Sequence, residues 1–422
     1  MKNSNNNLIL YIIIVILKQL ATVYFPSKLL GYLFLLILVI LLCFEKKENY
    51  LPTILFFHPC SALFDNISFT YLFNVVIVIF TFKYFWDIKK TGAPLKLNKK
   101  MTIMMLLLFL YEIFLILING YASLVIFSLI SWVASYLFVL QFIGGKIEVD
   151  LNKCLFYFFA GYLSGAIGGF AFPFLKYGFA FPSKYRYMGL FRDPNVYSLD
   201  ALLIVFSSLC INKKFSYITI ITMLLGFLSI SKMYILVLIV GLILYSFYNF
   251  KNINLKKIIA FLFLITVTIF LGIKTSLFDN IYTKYLLRID SESLSTGRTD
   301  ILNYYFNRLI NNPINLLFGS SMLKYRYVLV DYSSARALYE SHNTYLELIL
   351  SWGILGSAFY LAFLRKIIIS IKNILDSFQK DSIPLIIVFL LSIFTLDYLS
   401  ADIFIIMILY ITLCSFLKKN HA

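Results

Sequence analysis

The sequence has few charged residues for its length. Only 14% of its 422 residues are Asp, Glu, Lys or Arg, whereas a soluble domain carries about a quarter. Apolar residues make up 61% of the chain, and the mean hydropathy is +0.87. This shortage of charge excludes a soluble globular protein that covers its core with its own polar surface. Most of the chain must be buried in a lipid bilayer instead.

Cysteine and histidine are also scarce, with five and three residues respectively. No CxxC pair and no Cys/His cluster occurs, so the sequence predicts neither a disulfide framework nor a structural metal site. All the cysteines fall within hydrophobic segments, where they are expected to be small apolar fillers. They are Cys43, Cys60, Cys154, Cys210 and Cys414.

Long apolar runs are abundant, and many have the 17–25 residues that cross a bilayer. They predict an all-α polytopic membrane protein of about 12–14 transmembrane helices, forming one membrane domain over residues 1–422. The first run is expected to be a retained helix and not a signal peptide, because no small-residue cleavage site follows it. The predicted spans are 8–25, 28–44, 51–64, 67–83, 101–118, 121–143, 154–174, 195–211, 217–230, 233–250, 258–273, 343–364, 383–399 and 401–417.

The lysines predict the orientation of these spans. With the N-terminus inside, the inner segments hold 22 of the 37 basic residues, as the positive-inside rule requires. The net charge of +17 therefore reflects topology, and we expect no nucleic-acid partner. Only Lys18 and Glu112 are expected to be ionisable residues within the membrane.

The arginines depart from this rule, because seven of the eight fall in two predicted outer loops, 175–194 and 274–342. A guanidinium group binds phosphate oxygens through two parallel hydrogen bonds and keeps its charge in a partly dry site. The alternative is that these arginines contact lipid headgroups or pair with acidic residues of the same loops. The outer arginines are Arg186, Arg192, Arg288, Arg298, Arg308, Arg326 and Arg336.

The large loop 274–342 contains a predicted amphipathic helix that begins near Arg298 and ends before Pro313. Its apolar residues recur at helical spacing, and we expect the helix to lie on the outer interface of the membrane. The loop is also rich in tyrosine, which suits either sugar rings or an interfacial belt. The apolar positions are Ile301, Leu302, Tyr305, Phe306, Leu309 and Ile310.

Two further outer segments carry polar residues beside a predicted span. Asp193 and Asn195 follow the arginines of the first loop, and either residue could simply cap the next helix. Lys232 lies in a tight turn between two spans, where a lysine often extends to the interface without a further role.

His342 is the only histidine in a predicted outer loop. It stands where the large loop enters a span, and an imidazole there could take a proton near neutral pH. The alternative is a capping or interfacial histidine, although Ser341 or Asn343 would cap a helix better.

Three motifs together resemble the O-antigen polymerase and ligase superfamily of Wzy-like and WaaL-like membrane glycosyltransferases. They are RYMGLFRDPN before a span, STGRTDIL followed by NNPINLLFGSS in the large loop, and SHNTYLELILSWGILG at the start of the next span. The resemblance covers roughly residues 180–360. The sequence departs from the family at Asp193, where a small or polar residue is usual, and at Lys232, where the family often has an arginine. Lysine keeps the charge but lacks the planar guanidinium group that donates two parallel hydrogen bonds.

The resemblance implies a GT-C-like fold in a bacterial inner (plasma) membrane, with the active face extracytoplasmic or periplasmic. It implies a donor oligosaccharide on undecaprenyl pyrophosphate and an inverting, metal-independent transfer without a cofactor. His342 would deprotonate the acceptor hydroxyl and Arg298 would assist catalysis. Positive charge must stabilise the pyrophosphate as it leaves. The side chains expected to bind it are Arg186, Arg192, Lys232 and Arg298, with Asn195, Asn343 and Arg288 as further candidates.

The resemblance favours a polymerase that joins lipid-linked repeat units of a capsule, lipopolysaccharide or other surface polysaccharide. Its acceptor would be a second lipid-linked repeat unit, and its partners would include membrane lipids, a flippase and a chain-length regulator. A ligase that moves the glycan to a lipid or protein acceptor is the alternative. A lipid-linked oligosaccharide flippase or other transporter is disfavoured, since transporters tend to place ionisable residues at the midplane and contain internal repeats.

Overall fold

A computed structural model gives the fold of most of the chain. It describes residues 5–65, 71–92, 97–119, 125–145, 149–177, 189–191, 193–229, 231–248, 298–322, 329–332, 335–338, 341–375, 377–399 and 402–416. Within these residues the chain is almost entirely helical.

The part before residue 249 forms a series of helices. Short turns connect many of them, and a π-helical turn, Ile167–Ala171, joins α7 to α8. They are α1 Asn5–Tyr24, α2 Lys28–Cys43, α3 Tyr50–Phe57, α4 Leu72–Thr91, α5 Lys99–Asn119, α6 Val125–Gly145, α7 Leu151–Ala166, α8 Phe172–Tyr177, α9 Pro194–Asn212, α10 Tyr217–Phe227 and α11 Lys232–Tyr248.

The part from residue 298 onward adds helices and one hairpin. Strands β1 and β2 pair antiparallel, with Leu329 opposite Leu338. The elements are α12 Arg298–Ile310, α13 Pro313–Phe318, β1 Leu329–Tyr332, β2 Ala335–Leu338, α14 Thr344–Ile374, α15 Ile383–Ile393 and α16 Phe404–Ser415.

The helices confirm a multi-pass membrane protein. Every predicted span within the described residues contains a helix, and span 258–273 lies outside them. Four of the described helices are long and apolar enough to cross a bilayer: Asn7–Tyr24, Lys99–Asn119, Pro194–Asn212 and Thr344–Ile374.

The structure confirms the predicted all-α fold class and departs from the sequence prediction in two details. The β1–β2 hairpin was not expected in an all-α fold, because its short strands lie in the loop. The predicted span 383–399 is helical only to Ile393. The apolar composition of the next residues concealed a non-helical stretch, 394–399.

Helix α9 lies at the centre of the described bundle and α5 at its edge. In the membrane-length window of α9, 83% of residues are buried inside the protein, against 28% in α5. Large apolar side chains such as Leu110 and Leu117 are exposed on α5. In a membrane protein such residues face the lipid tails, so α5 is a lipid-facing helix and α9 is enclosed by its neighbours.

Ionisable residues are more frequent inside the bundle than the sequence analysis expected. Besides Lys18 and Glu112, the side chains of Asp200, Glu347 and Asp402 are buried inside the protein. These three acids lie within one or two turns of a helix start or in a non-helical segment.

Ion pairs link segments that the sequence places on the cytoplasmic side. Lys47 lies 3.7 Å from Asp87, and Lys213 lies 3.4 Å from Asp381. Each pair joins two predicted inner segments that are distant in sequence. The folded chain is thus consistent with the predicted alternation of its loops.

Helix α14 is broken at Gly353, where φ is +62° and ψ is −174°. A Cβ there would lie 2.3 Å from the backbone oxygen of Leu317. Gly319, also at positive φ, approaches the same break, and its Cβ would lie 2.3 Å from the oxygen of Ser351. Only glycine permits this backbone geometry and this close approach. The break lets the end of α13 dock directly on α14.

Candidate functional site

His342 stands directly before α14, in a left-handed conformation with φ of +50°. Histidine adopts this region more readily than most residues, yet such conformations concentrate at functional sites. Its backbone N–H donates to Asp397 Oδ2 at 2.7 Å. Its ring Nδ1 lies 4.0 Å from the same oxygen, and 30% of the side chain is exposed. The imidazole is therefore held beside a buried carboxylate and is still open to a substrate.

The residues on either side of His342 have structural roles. Asn343 caps α14, since its Oδ1 accepts hydrogen bonds from the N–H groups of Tyr345 and Leu346, both at 3.0 Å. The hydroxyl of Ser341 donates to Asp397. Because Asn343 supplies the cap, His342 is not needed for capping. The capping alternative for His342 is removed, and Asn343 becomes a structural residue of the site.

Asp397 was missed by the sequence analysis, which placed it inside the span 383–399. Its Oδ1 also accepts a hydrogen bond from the N–H of Asn343 at 3.2 Å. The carboxylate thus binds three consecutive residues of the loop that carries His342. The available signal was an acidic residue in an otherwise apolar stretch, since such residues are rare in spans and usually functional.

Asn195 and Lys232, two predicted site residues, lie close together. Asp193 caps α9 by accepting from the N–H of Asn195 at 2.6 Å. The side-chain oxygen of Asn195 accepts a hydrogen bond from the Ser231 hydroxyl at 3.2 Å. Lys232 is the next residue, half-buried at the start of α11. The contact joins the DPN motif to the lysine turn.

Helix α12 begins at Arg298 and packs on the first turns of α14. Ile301, Tyr305 and Leu309 are buried and form a cluster with Leu350. These residues follow the spacing of one helix face. The expected amphipathic helix is therefore attached to the helix that His342 precedes. Phe306, on the same predicted apolar face, is exposed and remains available to the membrane interface.

Residues 320 and 321, which follow α13, are hydrogen-bonded to α14 beside its break. The N–H groups of Ser320 and Ser321 donate to the oxygens of Leu350 and Ser351, both at 2.9 Å. These two carbonyl groups lie just before the break at Gly353. The backbone N–H groups of Ser320 and Ser321 serve as their hydrogen-bond donors.

Glu112 secures the same region from α5. Its carboxylate accepts from the N–H of Met322 at 3.0 Å and from the indole N–H of Trp352 at 2.7 Å. The neighbouring Tyr111 donates its hydroxyl to Phe318 O. Glu112, noted in the sequence as an intramembrane acid, therefore holds the loop segment against α14.

Two predicted phosphate-binding residues, Arg186 and Arg192, and the further candidate Arg288 lie outside the described residues. Arg298 is placed only by its position at the start of α12. Where the chain is described, no group of three His, Cys, Asp or Glu side chains could hold a metal ion. All five cysteines are free thiols.

Residues 217–361 match the Wzy_C family model, described as O-antigen ligase. The match confirms the resemblance to the O-antigen polymerase and ligase superfamily. No curated protein and no solved structure gave a match. The Wzy_C region covers about a third of the chain and includes Lys232, Arg298, His342 and Asn343.

The Wzy_C match and the apolar helices together support a multi-pass, Wzy/WaaL-like membrane enzyme. Lipid-linked oligosaccharides are the substrate class that the family implies. The matched region ends before Asp397 and begins after Asn195. The contacts from Asp397 to His342 and from Asn195 to Ser231 therefore connect the matched region with the rest of the chain.

Proposed function

We propose that this protein is a polysaccharide repeat-unit polymerase of a bacterial inner membrane. It would transfer a glycan from undecaprenyl pyrophosphate to a sugar hydroxyl of a second lipid-linked repeat unit on the extracytoplasmic face. The observation that supports this most is the pairing of Asp397 with His342 at the head of α14, since His342 lies in the region that matches the O-antigen ligase family.

In this proposal His342 is the general base. Asp397 lies on the Nδ1 side of the ring at 4.0 Å, and such contacts often tighten only when the substrate binds. A carboxylate that accepts Nδ1–H fixes the tautomer and leaves Nε2 free to take a proton. Nε2 would then remove the proton of the acceptor hydroxyl as its oxygen attacks the anomeric carbon.

The leaving group is the lipid pyrophosphate, which takes the electron pair of the broken glycosidic bond. Attack from the opposite face of the sugar would invert the anomeric configuration. The developing negative charge needs positive groups placed in advance. We assign this role to Arg298 and Lys232, which the matched region contains, and to Arg186 and Arg192 of the first outer loop. No metal ion is invoked.

The first test is incubation of purified protein in lipid nanodiscs with a lipid-linked repeat unit alone. A ladder of products on a gel supports the polymerase. A protein that gives neither a ladder nor transfer to any acceptor would refute the proposal.

A ligase is the second candidate, favoured by the description of the matching family as O-antigen ligase. The donor chemistry and the roles of His342 and Arg298 would be the same, and only the acceptor would differ. Transfer that occurs only when a lipid or protein acceptor is added would identify the ligase.

A further inference from the structure

A buried histidine–aspartate pair lies outside the groups that the proposed mechanism uses. His58 directly follows α3, and Asp200 lies in α9, 142 residues later. Their side chains meet with Nδ1 2.8 Å from Oδ2, and they are 2% and 0% exposed. Polar groups buried this deeply in a membrane protein are costly and are commonly kept for function.

The second ring nitrogen of His58 is also bound. Tyr398 places its hydroxyl 3.3 Å from Nε2. If Nδ1–H donates to the Asp200 carboxylate, Nε2 of the neutral ring is an acceptor, and the tyrosine hydroxyl must be the donor. Phe73 and Phe191 lie against the imidazole, with ring centroids at 5.2 and 5.3 Å. The ring is thus fixed on both nitrogens and enclosed by apolar surface.

Tyr398 is the residue next to Asp397, in the non-helical segment between α15 and α16. On its other side, this segment is held by the first turn of α14. The hydroxyl of Thr344 donates to Leu396 O at 2.5 Å and accepts from the N–H of Tyr398 at 2.9 Å. The carboxylate of Glu347 accepts from the N–H of Leu399 at 2.9 Å. With no helix to fix it, the position of Asp397 depends on these side-chain contacts.

We infer that Asp200, His58 and Tyr398 form a positioning triad for Asp397 and, through Asp397, for His342. Asp200 orients the imidazole, the imidazole anchors the Tyr398 hydroxyl, and Tyr398 fixes the segment whose carboxylate binds the His342 loop. The effect of the triad on catalysis rests on the proposed function, whereas its role in holding Asp397 does not. The competing explanation is that the triad only stabilises the helix bundle.

The test uses Tyr398→Phe, which removes one hydroxyl and keeps the ring. The control is Tyr136→Phe, since Tyr136 on α6 donates its hydroxyl to Tyr360 of α14 at 2.8 Å and both residues are buried. Tyr360 lies 18 residues after His342, beyond the break of α14 at Gly353. Both variants lose a buried tyrosine hydrogen bond, but only Tyr398→Phe loses one made by the segment that carries Asp397.

The first measurement is hydrogen–deuterium exchange of peptides that contain residues 341–347 and 396–399, in the full-length protein. It needs no substrate. Tyr398→Phe should raise exchange in both peptides above wild type, and Tyr136→Phe should not. Equal exchange in the two variants would overturn the inference even if the protein is a glycosyltransferase.

The second measurement is transfer kinetics with the lipid-linked repeat unit. Tyr398→Phe should lower kcat by about three- to tenfold, the effect of one hydrogen bond, with KM unchanged. In an Asp397→Asn background the same substitution should have little further effect, because residues that act through one another are not additive. A full, additive loss in that background would show that Tyr398 acts only on stability and would overturn the triad. If wild type transfers no glycan while exchange responds as expected, the proposed function fails and the triad stands only as a structural element.

Discussion

The carboxylate of Asp397 accepts a hydrogen bond from the backbone N–H of His342 at 2.7 Å, across 55 residues of sequence. The same carboxylate accepts from the Ser341 hydroxyl and from the N–H of Asn343. The only histidine of the predicted outer loops is therefore held by an acid from the loop between the last two helices. A histidine used only for capping or for the interface would not need this arrangement, since Asn343 already caps α14.

We expect substitution of Asp397 to reduce transfer without preventing membrane insertion. Asp397→Asn keeps an acceptor oxygen but loses the charge beside the imidazole, and kcat should fall about tenfold or more. Asp397→Ala should be worse, since it also leaves the backbone N–H of His342 without its acceptor, at about 1–3 kcal/mol if that group stays buried. Steady-state transfer rates at matched protein levels check both variants.

The matched control for Asp397 is Asp381→Asn. Asp381 pairs with Lys213 at 3.4 Å among the segments predicted to be cytoplasmic. Asp381→Asn should leave the transfer rate near that of the wild type. If Asp397→Asn were as active as Asp381→Asn, the carboxylate would have no part in the reaction.

Arg298→Lys should strongly reduce glycan transfer, although the substitution keeps the positive charge. The lysine side chain cannot bind a phosphate through two parallel hydrogen bonds, so we expect kcat/KM to fall at least about tenfold. Arg365→Lys is the control, since Arg365 is exposed on α14 and lies beside a predicted inner loop. Comparable rates for the two lysine variants would assign Arg298 to lipid contact.

The sequence alone predicted much of this fold because a bilayer constrains it strongly. The apolar runs located each span that the structure describes, and the spacing from Ile301 to Leu309 located α12. The boundary of α15 was misplaced because Phe394, Leu396 and Leu399 are as apolar as a span.

The site was harder to predict because its partners are remote in sequence. Asp397 is 55 residues from His342, and His58 is 142 residues from Asp200. Spacing rules for helices act over one or two turns, so no local pattern signals these contacts. The buried acids in apolar stretches were the one available signal.

Gly353→Ala should destabilise the protein far more than Gly92→Ala. Both glycines have φ near +60°, which costs another residue about 1–2 kcal/mol. A Cβ at Gly92 has nothing within 4 Å, whereas at Gly353 it would meet the oxygen of Leu317 at 2.3 Å. Thermal unfolding of the purified proteins, followed by tryptophan fluorescence, measures the difference. Similar unfolding temperatures would contradict the close approach of α13 to the break in α14.

The predicted orientation can be tested by cysteine labelling in a Cys43→Ser background, since the other four cysteines are buried. A membrane-impermeant maleimide should label Asn311→Cys, after α12, in intact spheroplasts. Lys380→Cys, in a predicted inner segment, should react only after permeabilisation. The opposite pattern would place the large loop in the cytoplasm and remove it from an extracytoplasmic site.

The most direct test is single-turnover transfer from a lipid-linked repeat unit by wild type, His342→Ala and His421→Ala. His421 belongs to the predicted inner tail of the sequence, and its variant controls for loss of a histidine. A missing general base lowers the rate by about 10²–10⁴-fold, so His342→Ala should lose at least about a hundredfold while His421→Ala keeps the wild-type rate. A wild-type rate from His342→Ala at equal protein level would contradict the account.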